Sequence, residues 1–543
     1  MKPTTNLEPG SGGGRPDGSA RPRRGNGGEA TQLTPGLRRF LNLTACVAGA
    51  AILVVEILGA KMLAPYVGTS HFVWTAQIAV TLISLAGGYA LGGWASDRTP
   101  RLAVYFRFLA IAGVALALSI PLVEPIAFAC VRLPLPVAAL VCSAALYVVP
   151  LTLMATTVPF LIRVLASSMD QVGMQAGRLS AVSTLGSVAG VVLIGYVLIP
   201  FLPNSVTMGI TAGILVLIPA IHALKWGRKE GASFAGAGLA LLLCAGLAGY
   251  GIHAESTHQF SEVKELARMN SNFGKLQVVE SKEGRRRYYL NDYLMQNTYD
   301  VVQKKSTSLF TYMLHGLTRG YAPGLNKALC IGLGVGIVPM QLVADGIQVD
   351  VAEINPAIIG LAEQYFDFEP SRMNIHIADG RQFINQTTNR YDAIVLDAFL
   401  GDSSPGHLMT REAFGSMKSH MAPEGVLVMN CFGDFAAGAD FFVGSIDRTL
   451  RSVFKEVRMH ASGNGNVFFA ASDRSPFNLM TDYDFSQVHG SVRSQVQSAF
   501  NGVRNNGLDR GRILTDDFNP VEFYDAQNRE KMRRNLALFI KEL

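Results

Sequence analysis

Charge is what this chain has least of: Asp, Glu, Lys and Arg make up 16% of its 543 residues, against 49% hydrophobic ones, where an ordinary soluble domain is about a quarter charged. The shortfall lies in the first half. Between about Leu41 and Gly251 apolar runs of roughly 18 to 26 residues recur, the length that carries a helix across hydrocarbon. A fully soluble protein is excluded. Paired cysteines are absent as well: Cys46, Cys130, Cys142, Cys244, Cys330 and Cys431 stand singly inside apolar runs or strands, which argues against a disulfide framework and against a cysteine metal site, so no metal is expected. Nor does any aromatic-basic motif accompany the net charge of +6, and nucleic acid is not an expected partner.

Residues 1–36 hold mostly Gly, Pro, Ser, Asn and Arg, too little apolar surface for a core, and are expected to be a disordered basic tail without the shape of a signal peptide. Arg15, Arg21, Arg23, Arg24, Arg38 and Arg39 precede the first span. By the positive-inside rule they hold the amino terminus in the cytoplasm, in a multi-pass protein of the cell (inner) membrane. Residues 37–254 form a transmembrane domain of about seven helices, near 41–63, 72–95, 103–123, 136–162, 180–200, 205–224 and 234–252, the fourth long and kinked at Pro150. Arg98 and Arg101 follow span two, Arg163 and Arg178 flank the loop after span four, and Lys225, Arg228 and Lys229 follow span six, whereas 64–71 and 201–204 carry no Lys or Arg. Seven spans from a cytoplasmic start put everything after Gly251 outside, away from the nucleoside pool. The Gly- and Ala-rich last run is the weakest span, so the side of the second half stays open.

Two charges lie within the first span, Glu56 and Lys61. Ionisable groups there face a bundle interior and mark a site or pathway, or else reach for the interface. The end of span two, GGYALGGWASDRTP, resembles over that loop alone the turn between the second and third helices of major facilitator transporters. Its small residues at 87, 88, 92 and 93 suit close helix packing.

From about 255 the composition turns soluble. Residues 255–300 read as a small β domain, with GKLQVVESKEGRRRYYLNDYLMQ forming an antiparallel sheet over about 274–298. Residues 301–543 read as a Rossmann-like domain: a helix over 306–320, then KALCIGLGVGIVPMQLVADGIQVDVAE from Lys327 to Glu353. That stretch is a strand, a turn at Gly332, Gly334 and Gly336, an apolar helix to about Ala344, and a second strand ending on an acid, the opening of a nucleoside site. Strands at 373–377, 391–397 and 424–431 alternate with helices at 356–366, 380–386, 410–421 and 438–454, and two more strands follow at 455–460 and 466–472. The period gives a parallel sheet covered on both faces, with ligands at the carboxyl ends of the strands. Glu353, Asp379 and Asp397 each close or follow a strand and so face one crevice, although each alone is equally a helix cap.

These residues resemble the spermidine synthase family, whose class I methyltransferase-type fold follows a small β domain: YYLNDYLMQ for its L-D-G-x-x-Q strand, CIGLGVGI for its glycine loop, VAEINP for V-E-I-D-P, IADGRQF for D-G-R and IVLDAF for the strand-end acid. The spans look like the membrane-fused branch of that family. The resemblance implies aminopropyl transfer from decarboxylated S-adenosylmethionine, a co-substrate and not a resident cofactor, to a small amine. It puts Glu353 on the ribose, Asp379 and Gly380 at the adenine, the three glycines around the donor, and Asp397 as the catalytic carboxylate beside the transferred group, where it orients or deprotonates the attacking amine. Departures fall on the acceptor side. Val335 replaces an Asp, Phe273-Gly274 a Tyr-Gln, and Met313-Leu314 a His-Glu, leaving Gln296, Tyr312, Asp402 and, with its neighbour Asp516, Asp517 as candidate substrate contacts. Two other readings stay open, a methyltransferase using intact S-adenosylmethionine, and a transporter or sensor of cationic amines with a nucleoside-binding module. The lipid bilayer is an expected partner, and self-association is left open.

Overall fold

The computed structural model describes residues 33–524 apart from 69, 131, 167–171, 231–233, 258–262, 293, 323, 400–404, 437–438, 464, 481, 506, 509 and 522. The chain expected to form the disordered tail therefore lies, up to residue 32, outside the described residues, as does Asp402.

The first half is helical: α1 (Pro35–Val67), α2 (His71–Arg98), α3 (Leu102–Cys130), α4 (Leu135–Ala155), α5 (Thr157–Leu165), α6 (Val172–Leu193), α7 (Ile199–Phe201), α8 (Asn204–Glu230) and α9 (Phe234–Thr257). With α4 joined to α5, and α6 to α7 through a wide turn at Ile194–Leu198, these make seven helices long and apolar enough to cross a membrane. Helix α1 starts on Pro35 behind Thr34, whose hydroxyl accepts the Leu37 N–H, the usual way to satisfy a first-turn donor. It packs on α6 through backbone contact: a Cβ on Gly186 would stand 2.0 Å from the Cys46 carbonyl oxygen, and one on Gly49 2.2 Å from that of Ser183. Only glycine permits such an approach. Gly88 and Gly92 do the same for α2 against the Thr152 and Thr156 carbonyls, while Gly87 and Gly93 meet little or nothing. Around its girth the bundle leaves Leu82, Ile83, Tyr196 and Leu242 exposed.

Pro150 lies buried inside α4, and the helix is interrupted further on, at Thr156. Two causes meet there. The Thr156 and Thr157 hydroxyls donate back to the Leu153 and Met154 carbonyls at 2.6 Å each, and Pro159 has no N–H to return to Ala155.

Five antiparallel strands follow in sequential order, β1 (Val263–Ser271), β2 (Gly274–Ser281), β3 (Arg286–Asn291), β4 (Leu294–Asp300) and β5 (Lys305–Ser306). Then α10 (Leu309–Tyr321), β6 (Lys327–Ile331), α11 (Ile337–Ala344), β7 (Gln348–Glu353), α12 (Ala357–Tyr365), β8 (Asn374–Ile377), α13 (Gly380–Gln386), β9 (Tyr391–Leu396), α14 (Arg411–Ser419), β10 (Met421–Phe432), α15 (Phe441–Arg451), β11 (Glu456–Ala461), β12 (Asn466–Ser472), α16 (Arg493–Asn501) and β13 (Val503–Arg504) complete the described chain. The second sheet runs β13-β11-β12-β10-β9-β6-β7-β8. Its five strands from β10 to β8 are parallel, as the strand-helix period requires, but β12, β11 and β13 add antiparallel, because β11 and β12 are joined too closely for a crossover.

Successive residues of the central strands go to opposite cores. Ala328, Cys330, Val349, Val351, Ala393 and Val395 pack beneath α10, α11, α12 and α16. Leu329, Ile331, Ile394, Leu396, Leu427 and Met429 pack beneath α13, α14 and α15. A strand apolar at every position is what a sheet buried on both faces demands.

The two halves touch at one end of the bundle. Lys275 Nζ pairs with Glu255 Oε1 at 2.9 Å, Arg268 donates to the Glu255 carbonyl at 2.6 Å, and Phe523 packs on His71 and Phe72.

Candidate active site

Strand β6 has β7 on one side and β9 on the other, so the chain leaves it in one direction and later returns in the other. The crevice beyond such a point opens at the carboxyl ends of the strands. Here it is a cavity of about 580 Å³, roofed by the small sheet.

At its centre the turn after β6 takes positive φ at Gly332 (+95°) and Gly334 (+56°), and both line the cavity. Gly332 must be glycine, since a Cβ would stand 2.3 Å from the Asp397 carbonyl oxygen. Gly336, also at positive φ, seats against the Phe368 ring and borders a separate cleft of about 790 Å³, so it shapes the turn without reaching the cavity.

The β7 and β8 wing carries Glu353 and Asp379. Glu353 is buried, and its two oxygens accept the Leu333 N–H at 2.8 Å and the Asn355 N–H at 2.7 Å. Burial raises its carboxyl above the usual range despite those donors. The carboxylate thereby ties the glycine turn to β7, and Glu353 lines the cavity. Asp379 caps α13 with Oδ1, accepting from Arg381 and Gln382, and holds His407 Nε2 at 2.8 Å with Oδ2. Burial pushes its carboxyl up, but the Gln382 N–H and the His407 ring more than offset this and hold it low. Gly380 lines the cavity beside it, packed on Ile331.

The β9 and β10 wing carries Asp397. It lines the cavity, and the surrounding protein desolvates it, raising its carboxyl from 3.8 to about 6 although Asn430 Nδ2 donates to it at 2.9 Å. Asn430, Asn466, Asn297, Phe399 and Phe432 complete this wing. None of these five was singled out in the sequence. Asn430 lies near the carboxyl end of β10, so the rule that found the acids would have found it had it been applied to amides, whereas Asn466 opens the antiparallel β12 and escapes that rule.

Of the other candidate contacts, Gln296 lines the cavity. Tyr312 does not: it is a core residue whose hydroxyl donates to the Ser306 carbonyl at 2.7 Å, and it borders the separate cleft. Asp517 is exposed and away from the cavity, while its neighbour Asp516 accepts from Arg381 and Thr410. Neither Glu56 nor Lys61 reaches the cavity. Thr81 stands beside Glu56 within the bundle, whereas Lys61 leaves it, its ammonium 3.4 Å from the Asn272 carbonyl in the turn between β1 and β2.

Residues 308–462 match the spermine/spermidine synthase domain. Over 220 residues the chain is 40% identical to the polyamine aminopropyltransferase of Vibrio vulnificus (strain CMCP6), covering 37% of this chain and 70% of that protein. It is 33% identical over 150 residues to an N-terminal histidine N-methyltransferase of Emericella nidulans, of which it covers only 26%. The spermidine synthase of Thermotoga maritima superposes with a TM-score of 0.35 at 19% identity, over 51% of this chain and 89% of that one. Matched across most of the Vibrio enzyme and through the synthase domain, the chain belongs to the spermine/spermidine synthase family and is an enzyme of the aminopropyltransferase type.

Proposed function

We propose that this protein is a membrane-anchored transferase that moves the aminopropyl group of decarboxylated S-adenosylmethionine to an amine, a step of polyamine biosynthesis. The observation that carries the choice of donor is the charge of the cavity: Glu353, Asp379 and Asp397 line it, and among its described lining residues there is no Lys or Arg. Three carboxylates suit a sulfonium with a primary ammonium. Intact S-adenosylmethionine would bring a carboxylate of its own into this wall, where the described lining holds no Lys or Arg to meet it and His407 is already engaged by Asp379.

In the proposed arrangement Glu353 accepts from the ribose hydroxyls, Asp379 faces the adenine, and the glycine turn admits the nucleoside close to the backbone. The sulfonium then lies near Asp397. The acceptor nitrogen's lone pair attacks the carbon next to sulfur, the C–N bond forms as the C–S bond breaks, and the electron pair leaves on sulfur as methylthioadenosine. The proton shed by the new ammonium passes to Asp397. A carboxylate with its pKa raised to about 6 is a better match to that proton than an ordinary one. Sulfonium is already a good leaving group, so positioning supplies most of the acceleration.

The anchor is supported by the seven apolar helices and the apolar girth of the bundle. Its ends differ. Arg38, Arg39, Arg98, Arg101, Arg163, Arg178 and Lys225 gather at the end where Phe40 packs on Trp226 and Arg163 meets Asp97, and the transferase domain packs against the opposite end. With the basic end in the cytoplasm, the transferase domain faces the other compartment.

The test is calorimetric binding of decarboxylated S-adenosylmethionine, intact S-adenosylmethionine and methylthioadenosine to the full-length protein in nanodiscs. Tighter binding of the decarboxylated donor, weakened by Glu353→Ala, is expected. Preference for the intact donor would overturn the reading in favour of methyl transfer.

A further inference from the structure

The apolar bundle buries more polar side chains than its own packing uses. Gln77 of α2 is fully buried, and neither its Nε2 nor its Oε1 has a hydrogen-bond partner among the described atoms. The hydroxyls of Ser143 and Tyr147, on α4, are buried and unpartnered in the same way. These helices meet at Gly59 of α1, where a Cβ would stand 2.8 Å from Gln77 Nε2 and 2.9 Å from the Tyr147 ring. Ser143 lies one turn before Tyr147 on the same face of α4, and Glu56 one turn before Gly59 on the same face of α1. Thr81, one turn after Gln77, stands beside Glu56. A carboxylate, an amide and two hydroxyls thus converge from three helices, in a place about 9 Å along α2 from His71, which packs on Phe523 of the transferase half. No Lys, Arg or His among the described residues pairs with Glu56, and Lys61, five residues on, turns away to the Asn272 carbonyl at 3.4 Å. Buried polar groups without partners are costly within apolar helices, and ionisable ones there serve a ligand or a pathway.

We propose that Glu56, Gln77, Ser143 and Tyr147 form a second binding site, inside the bundle and separate from the transferase cavity, for a primary ammonium group. The Glu56 carboxylate supplies the opposite charge, and the Gln77 Oε1 and the two hydroxyl oxygens are acceptors for the remaining N–H groups of an ammonium. The choice of an amine as occupant rests on the aminopropyl-transfer reading above. Helix α1, which carries Glu56 and Gly59, also carries Lys61, whose partner Asn272 sits in the turn between β1 and β2, and the next residue of that turn, Phe273, lines the transferase cavity. The site therefore lies at the end of the bundle that adjoins an amine-handling domain.

The experiment treats full-length protein in phosphatidylcholine nanodiscs, without donor, with dicyclohexylcarbodiimide, an apolar reagent that adds to carboxyl groups in hydrocarbon. The unmodified Glu56 remaining with time is read by peptide mass spectrometry. Butylamine is expected to slow its loss about tenfold and saturably, whereas sodium chloride at the same concentration and butan-1-ol leave it unchanged. Protection should persist in Asp397→Asn, which separates this site from the transferase cavity. Gln77→Leu and Tyr147→Phe should react at the parent rate without amine, a sign that they fold, yet need about tenfold more butylamine for protection, the worth of one hydrogen bond to a charged group. A reaction indifferent to butylamine, or slowed equally by sodium or by the alcohol, overturns the proposal, as does unchanged protection in both variants. Where Glu56 resists the reagent, binding of tritiated butylamine to the same nanodiscs decides: loss of about one equivalent per chain in Glu56→Gln but not in Asp397→Asn supports the site, and equal binding in Glu56→Gln refutes it. Neither readout needs donor or turnover, so their failure leaves the transfer reading standing.

Discussion

Gly332 and Asp397 meet backbone to backbone: the Asp397 N–H donates to the Ile331 carbonyl at 3.0 Å, and a Cβ on Gly332 would stand 2.3 Å from the Asp397 carbonyl oxygen. The turn proposed to admit the nucleoside and the acid proposed to serve the reaction are thus joined at the switch point of the sheet. Gly332→Ala must either strain a residue at φ +95° or push β9 away. It is expected to lower Tm sharply or prevent accumulation of folded protein. Gly334→Ala, at φ +56° with 3.2 Å to Asn297 Oδ1, should fold with a Tm loss of a few degrees and bind methylthioadenosine more weakly. Thermal melts with and without methylthioadenosine separate the two.

Asp397→Asn should reduce transfer on the order of a hundred- to ten-thousand-fold, the range for a lost general base, while keeping donor binding. It should also make the protein more stable. The folded carboxyl binds its proton more tightly than the unfolded one, so the group favours folding fully below its ordinary 3.8 and loses that contribution as pH rises to about 6. Above that pH the ionised Asp costs roughly 3 kcal/mol relative to its own protonated form, taking about 1.36 kcal/mol for each tenfold in proton affinity, a cost the neutral amide does not carry. Melts at pH 5 and pH 8 should show the Asn variant's advantage widening at the higher value. In the parent enzyme, kcat/KM should fall below a pH of about 6, as Asp397 takes up its proton.

Glu353→Ala and Asp379→Asn should differ on the donor. The first leaves the Leu333 and Asn355 N–H groups unpaired in a buried place, at about 1–3 kcal/mol each, and removes the proposed ribose contact. Donor affinity should drop at least a hundredfold and Tm should fall with it. Asn at 379 still caps α13, so only a few-fold loss of affinity and a nearly unchanged melt are expected. Calorimetry beside melting curves gives both readouts.

The proposed side of the transferase domain rests on the end of the bundle it packs against together with the positive-inside rule. In intact cells a membrane-impermeant maleimide should label Glu283→Cys, exposed in the small sheet, and should reach Lys225→Cys, at the basic end, only after lysis. The native thiols lie buried or half-buried and give little background. The opposite pattern would place the chemistry in the cytoplasm.

Much of this architecture is legible in the sequence, for a physical reason. The central strands are apolar on both faces along most of their length because both faces of the sheet are covered, and the glycine turn and the strand-end acids recur with the strand-helix period. What the sequence hides is tertiary. The interruption at Thr156, where hydroxyls compete for helix carbonyls and Pro159 withholds its N–H, carries a weaker local signal than Pro150. Tyr312 and Asp517 carry the right chemistry in the right stretch but point elsewhere, one into the core and one to the surface. Asn430 escaped notice because an amide announces itself only through the groups it meets, here Asp397 on one side and open cavity on the other. The antiparallel end of the sheet depends on a hairpin that strand-helix alternation does not encode.

The most direct test of the central claim is the mass of the modified acceptor. Full-length protein in phosphatidylcholine nanodiscs is supplied with equal decarboxylated and intact S-adenosylmethionine and an amine, and the products are read by mass spectrometry, with Asp397→Asn and Glu56→Gln beside the parent. The account predicts an acceptor that has gained an aminopropyl group with stoichiometric methylthioadenosine, a signal lost in Asp397→Asn and kept in Glu56→Gln. An acceptor that has gained only a methyl group, with S-adenosylhomocysteine as the nucleoside product, would contradict it.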